Sequence, residues 1–170
     1  MRFCNDFRKL NKVSQFDTSG RQANRLIGKG RFLSTLDLTK GYWQIPLAKE
    51  AKEKTAFSTP EGLYQYTVLL PFGLHGAPAT FQRLTDNLLH PHGKYVAAYL
   101  DDVIMHSPDW ETHLEKVEAV LDTLRKAGLT VNPSKCAIGL AEAKYIRYIV
   151  GRGVVKLQLN KLEAIESWPN

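Results

Sequence analysis

Asp101 and Asp102 stand side by side in the middle of an apolar run, VAAYLDDVIM, and that placement limits what the chain can fold into. The short apolar segments Tyr95–Tyr99 and Val103–His106 flank Leu100-Asp101-Asp102, a pattern that predicts a β-hairpin with acids at its tip. Burying an unpaired carboxylate is expensive, and two adjacent ones also repel. Two readings of the acids stay open. They lie in a solvated turn, where Asp is common for local hydrogen-bonding reasons, or the fold supplies a compensating cation.

The rest of the chain builds around that hairpin. Arg31–Leu38 (RFLSTLDL) reads as a strand with Asp37 near its end, and Tyr64–Leu70 (YQYTVLL) as another, stopped by Pro71-Phe72-Gly73. Ala77–Leu89 predicts a helix with Pro78 in its first turn and Phe81, Leu84 and Leu88 on its buried face. Ser107-Pro108 predicts the N-cap and first turn of a second helix, where Asp109 and Glu111 suit the dipole. Its predicted stripe is Leu114, Val117, Leu121 and Leu124, with Gly128 as the stop. Tyr145–Val150 and Val154–Leu157 predict a closing hairpin around Gly151-Arg152-Gly153. No repeat or linker divides the 170 residues, so the expectation is one α+β domain, a sheet with helices on one face.

Asp37 changes the weight of the acidic tip. If its strand lies beside the hairpin, three carboxylates converge at one sheet edge. Hard oxygen ligands in that number suit Mg²⁺. Two such ions roughly 4 Å apart clamp an in-line phosphoryl displacement. Charge points the same way: residues 1–60 hold 12 Lys+Arg against 5 Asp+Glu, whereas residues 61–170 hold 11 against 12. A basic segment is either a solvated surface or an attraction for a polyanion such as nucleic acid. No apolar run approaches the roughly 20 residues that span a bilayer. Met1–Asp6 lacks the apolar core of a signal peptide. Cys4 and Cys136 show no paired spacing and fit a reducing compartment. His90 and His92 lack further ligands at zinc spacing, and His106 and His113 read as surface or capping groups. Gly28-Lys29-Gly30 reads as a turn, since it lacks a phosphate loop's context.

These segments, taken in order, resemble the reverse transcriptases of gypsy-type LTR retrotransposons, which retroviral enzymes also resemble. RFCNDFRKLN (2–11) looks like a fingers segment, STLDLTKGYWQIPL (34–47) like the first catalytic motif, and KTAFSTPEGLYQYTVLLPFGLHGAPATFQRL (54–84) like the fingers return and nucleotide-site motif. YLDD (99–102) is the family's core motif, and GLTVNPSKC (128–136) and the closing Trp168-Pro169 also match. The resemblance implies a polymerase palm, a ferredoxin-like antiparallel sheet with helices on one face, plus part of the fingers. Fingers elements would lie at about 1–35 and 45–75, palm at about 32–44 and 76–157.

The resemblance also implies roles. Asp37, Asp101 and Asp102 would be catalytic metal ligands, with the Leu38 carbonyl assisting, for two Mg²⁺ ions or Mn²⁺ in their place. Tyr42 would pack under the incoming sugar and exclude a ribose 2′-hydroxyl; the competing reading is core packing with Trp43. Phe72 would lie near the incoming nucleotide, and Arg2 would hold its triphosphate by charge-assisted hydrogen bonds, unless Arg2 is a frayed surface residue. Gln82 would face the template and Tyr99 the primer end. The implied partners are an RNA or DNA template, a DNA or RNA primer, and dNTPs, with no membrane. The implied location is intracellular, a cytoplasmic retroelement particle with access to the nucleus.

Four features depart from the family pattern: the basic segment 18–25, the extra length at Leu69-Leu70, Arg147 in place of a turn Gly, and Leu157 in place of Pro. The resemblance also implies a chain that would start inside the fingers and stop before a thumb. The expectation is that the ligands persist while the isolated chain extends primers weakly or not at all. The alternative from another class is a catalytically inactive nucleic-acid-binding remnant of a decayed retroelement. A ferredoxin-like RNA-binding module ranks lower, because its paired aromatic strand motifs are missing.

Overall fold

The computed structural model describes residues 6–13, 30–38, 40–68, 74–146 and 148–157. In chain order the elements are α1 (Arg8–Val13), β1 (Phe32–Asp37), α2 (Lys49–Lys52), β2 (Phe57–Thr59), β3 (Gly62–Tyr64), α3 (Gly76–Leu89), β4 (Val96–Tyr99), β5 (Asp102–Ser107), α4 (Trp110–Lys126), β6 (Ala137–Leu140), β7 (Glu142–Tyr145), β8 (Tyr148–Gly151) and β9 (Val154–Leu157). The main sheet has the order β4-β5-β1-β6 and every pairing is antiparallel. With α3 and α4 as the crossovers, β1-α3-β4-β5-α4-β6 is the split βαββαβ arrangement of a ferredoxin-like sheet.

Strand alternation divides the apolar residues between two cores. Leu36, Leu38, Val103 and Met105 face the helices and meet Ala77, Phe81, Leu89, Val117, Val120 and Leu124. Leu33 and Ile104 face the other way and meet Ala143, Tyr145 and Val150 of a second sheet, β7-β8-β9. The helices therefore cover one face, as expected, and the small sheet covers part of the opposite face. The sequence reading found only the β8–β9 hairpin of that second sheet, because in β7 only Ala143 and Tyr145 are apolar and turn inward. Arg147 lies outside the described residues.

Both long helices are rotated from their expected faces. On α3 the buried positions are Ala77, Ala79, Phe81, Gln82, Thr85 and Leu89, while Leu84 is exposed. On α4 they are His113, Val117, Val120 and Leu124, while Leu114 and Leu121 are exposed. Apolar character misled the reading because polar Thr85 and His113 occupy core positions. The α4 cap also moves: Asp109 accepts from the Thr112 N–H at 2.8 Å, and Ser107 is buried at the end of β5. Ala127 ends α4, and Gly128 follows with φ 74°, the left-handed C′ stop the sequence predicts. The strand expected at Tyr64–Leu70 is instead the last residue of the short β2–β3 hairpin, followed by a single bridge from Val68 to Pro46. Leu69–Gly73, with Phe72, lie outside the described residues, as do Arg2 and the segment 18–25.

Candidate active site

β1 lies beside the hairpin, and this brings the acids together. Asp37 and Asp102 are directly paired across β1 and β5, while Tyr99 pairs with Asp102 from β4. The turn between the hairpin strands is Leu100-Asp101, so Asp102 begins β5 rather than sitting at the tip. The Leu38 N–H donates to the Asp101 carbonyl at 2.8 Å, which locks the turn against the end of β1. The Asn132 N–H donates to the Asp37 carbonyl at 2.8 Å from the other side.

Asp37 and Asp102 share a cleft of about 240 Å³ with Thr35, Lys135, Lys144 and Tyr145. It opens on the sheet face away from the helices. Lys135 donates to Asp37 Oδ2 at 3.1 Å and leaves that carboxylate side chain 17% exposed. Asp102 is exposed, yet its pKa is raised, first by partial desolvation, then by the charges of Asp101 and Asp37, with Lys135 opposing. Among the described residues the buried Tyr145 hydroxyl has no hydrogen-bond partner, and burial pushes its pKa up. Among the described residues no three His, Cys, Asp or Glu side chains form a ready-made metal cage. The expected convergence is therefore looser than three carboxylates on one point. Asp37 and Asp102 form a facing pair, and neighbouring Asp101 belongs to the turn.

The Leu38 side chain is fully buried, and its carbonyl accepts from the Gly41 N–H at 3.2 Å. A carbonyl has a second lone pair, so the oxygen can still serve as a ligand. Tyr42 follows in a short 3₁₀ turn, Gly41–Gln44. Its ring packs on Phe81 at 4.9 Å, not on Trp43, which is 55% exposed. Gly41 makes this stacking possible: a Cβ there would stand 2.6 Å from the Phe81 ring. Burial raises the Tyr42 pKa first, and the charge of Asp101 raises it further, so this hydroxyl lies within electrostatic reach of the acids.

Gln82 requires a correction. It is 5% exposed, so it is not free to face a strand lying outside the protein. Its amide turns inward and bonds the backbone of the acidic hairpin at Ala98 and Leu100. Helical position explains this, since Gln82 follows Phe81 on the side of α3 that packs on the sheet. Tyr99 remains 42% exposed at the end of β4.

The model of the family described as reverse transcriptase (RNA-dependent DNA polymerase) matches residues 2–150, which include every acid of this site. The chain belongs to the reverse transcriptase family. It is 38% identical over 169 residues to the retrovirus-related Pol polyprotein from transposon opus of Drosophila melanogaster, covering 96% of this chain and 17% of the relative. It is 37% identical to the corresponding polyprotein from transposon gypsy of the same fly, covering 16% of it. The chain thus spans about a sixth of the length of these relatives. Among solved structures, a foamy viral protease–reverse transcriptase in complex with double-stranded DNA superposes with a TM-score of 0.85 at 25% identity, covering 99% of this chain and 30% of that one. A complex of the foamy viral protein with an RNA/DNA hybrid superposes at 0.80, with 25% identity, covering 97% of this chain and 23% of that one.

As a reverse transcriptase domain, the chain has the α+β palm that its motifs imply. Lys135 was missed as a site residue. It lies in the quoted GLTVNPSKC segment, but nothing in the local sequence announces an ion pair across 98 residues.

Proposed function

We propose that this chain is the nucleotidyl-transfer centre of an RNA-directed DNA polymerase, adding deoxynucleotides to a primer 3′-hydroxyl over an RNA or DNA template. The observation that carries the reading is the cross-strand pair Asp37 and Asp102 with Asp101 in the adjoining turn. The donor set suits Mg²⁺, or Mn²⁺, in its chemistry: hard carboxylate oxygens, a carbonyl at Leu38, and an Asp102 whose neighbours already disfavour its charge. Bound there, two divalent ions would activate the attacking hydroxyl and neutralise the leaving pyrophosphate.

The chain's own residues do the positioning. Tyr42, held on Phe81, forms a floor for the incoming sugar and excludes a 2′-hydroxyl. Tyr99 meets the primer end from its exposed position beside Asp102. Arg2 and Phe72 serve the incoming triphosphate and base. The duplexes bound to the foamy viral relatives support nucleic acid as the partner. In this reading residues 1–35 and 45–75 are fingers elements, and 32–44 and 76–157 are palm. The setting is intracellular, a cytoplasmic retroelement particle with access to the nucleus.

A second reading has its own observation. The Lys135 ammonium already neutralises Asp37, which suits a nucleic-acid-binding remnant without catalysis. Metal dependence separates the two. Primer extension by the 170-residue chain with Mg²⁺ should vanish in Asp101→Asn, while salt-sensitive binding of a template–primer duplex stays within about twofold. No Mg²⁺-dependent extension by the wild-type chain, alone or joined to the segment that follows this region in its polyprotein relatives, would leave the remnant reading standing.

A further inference from the structure

We propose that Gln82, oriented by Asp86, is the positioning residue that holds the Leu100–Asp101 turn in its working shape; this deepens the polymerase reading and rests on it. Leu100 has φ 54°, a left-handed conformation that a leucine rarely adopts because its Cβ crowds the backbone. Such a conformation persists only when its surroundings over-determine it. Here the β4–β5 pairing and the Leu38 N–H on the Asp101 carbonyl hold the turn's flanks, and among the described residues one side chain bonds the Leu100 backbone itself. The Leu100 N–H donates to Gln82 Oε1 at 2.7 Å, and Gln82 Nε2 donates to the Ala98 carbonyl at 3.1 Å. One amide therefore grips the hairpin before and within its turn.

The orientation of that amide is itself decided. Gln82 Nε2 also donates to Asp86 Oδ1 at 2.8 Å, one helical turn along α3. A carboxylate accepts and never donates when ionised, so it fixes the NH₂ end and leaves the oxygen for Leu100. Gln82 is buried, and losing its acceptor would strand the Leu100 N–H. Asp101 is the residue directly after Leu100, and its carbonyl takes the Leu38 N–H at 2.8 Å. A turn that relaxed at Leu100 would shift Asp101 relative to Asp37 and Asp102. Gln82 thus acts on the acids without touching them.

The test uses Gln82→Met, Asp86→Ala and the double variant Gln82→Met/Leu100→Asn. Asn tolerates the left-handed region without outside help. Three readouts are taken: amide hydrogen exchange at Leu100, Mn²⁺ affinity by electron paramagnetic resonance, and the thermal midpoint. The expected result for Gln82→Met is Leu100 exchange faster by roughly tenfold and Mn²⁺ affinity weaker by a comparable factor. Asp86→Ala, a change on the exposed side of α3, should move both the same way by a smaller factor and guards against a Gln82 variant that fails to fold. The double variant should recover most of the Mn²⁺ affinity. A lower midpoint with unchanged Leu100 exchange and unchanged Mn²⁺ affinity makes Gln82 a packing residue and overturns the proposal. So does a double variant no better than Gln82→Met. If wild type and Asp101→Asn bind Mn²⁺ alike, the metal reading of the acids fails, and Leu100 exchange alone then decides whether the clamp exists.

Discussion

Asp102 carries two tendencies that pull against each other. Its partial desolvation and its acidic neighbours favour the protonated form, so its pKa is raised. A divalent ion needs the deprotonated form. Proton and metal therefore compete, and the competition starts at a higher pH than for an ordinary carboxylate. Mn²⁺ affinity should fall as pH drops toward the carboxylate range, with the midpoint of the fall above the reference value near 4. Asp102→Asn removes one repelling charge, so the metal-free chain should gain up to about 1 kcal/mol, small because the group is open to water. The same variant should lose most of its Mn²⁺ affinity. A variant that is destabilised yet binds Mn²⁺ normally would make Asp102 a structural residue. The sequence made this residue easy to single out, since paired acids in an apolar run demand an explanation. It could not reveal Lys135, whose contact with Asp37 exists only after β1 and the segment following α4 meet.

At the scale of the element, α4 is joined to the sheet by a polar anchor, one buried histidine, beside its apolar contacts. His113 is fully buried, with the Ser34 and Ser107 hydroxyls each 2.6 Å from a ring nitrogen. Ser107 also donates to the Asp109 carbonyl, and Ser34 accepts the Gly139 N–H at 3.1 Å. For a neutral imidazole only one tautomer satisfies all of these: Nδ1–H donating to Ser107 and Nε2 accepting from Ser34. The ring therefore ties α4 to β1 and β5, and Ser34 carries the link on to Gly139 of β6. His113→Ala should cost roughly 2–4 kcal/mol, through a cavity and two buried hydroxyls left short of a partner. Replacing all three with apolar residues (Ser34→Ala, His113→Leu, Ser107→Ala) should recover much of that loss in denaturant unfolding. A triple variant as unstable as His113→Ala would remove the network as the cause. This network explains why the face of α4 was misread. Leu114 and Leu121 look like core residues by type, and His113 does not. Only the polar partners on β1 and β5 decide which face turns inward. The β-elements near the acids were legible because period-two runs and a turn are local signals. The β7–β9 sheet was half legible, because its edge strand gains its apolar contacts only from the far face of the main sheet.

For the whole molecule, three histidines set how the fold responds to acid. His92, His106 and His113 all have lowered pKa values, and burial is the leading cause for each. The Lys116 charge lowers His106 and His113 further, and His106 itself adds to the effect on His113. Lys116 is half-buried on α4, with its ammonium 4.7 Å from the Tyr95 ring, so α4 and the β4 approach share one local field. The sign follows from proton counting. In the unfolded chain each histidine returns to an ordinary value near 6.5, so below that pH the unfolded state binds more protons. Stability is then fully present above about 6.5 and falls as pH drops toward the lower folded-state values. Asp102 opposes this trend, since its raised pKa favours the protonated fold, but its exposure keeps that contribution small. The thermal midpoint should be flat from about pH 7 to 8 and decline steadily below about 6.5. Lys116→Met should make the decline shallower, because His106 and His113 then sit closer to their ordinary values. A midpoint that holds constant down to about pH 5, or a Lys116→Met chain with an unchanged slope, would show that the buried histidines do not carry the acid response.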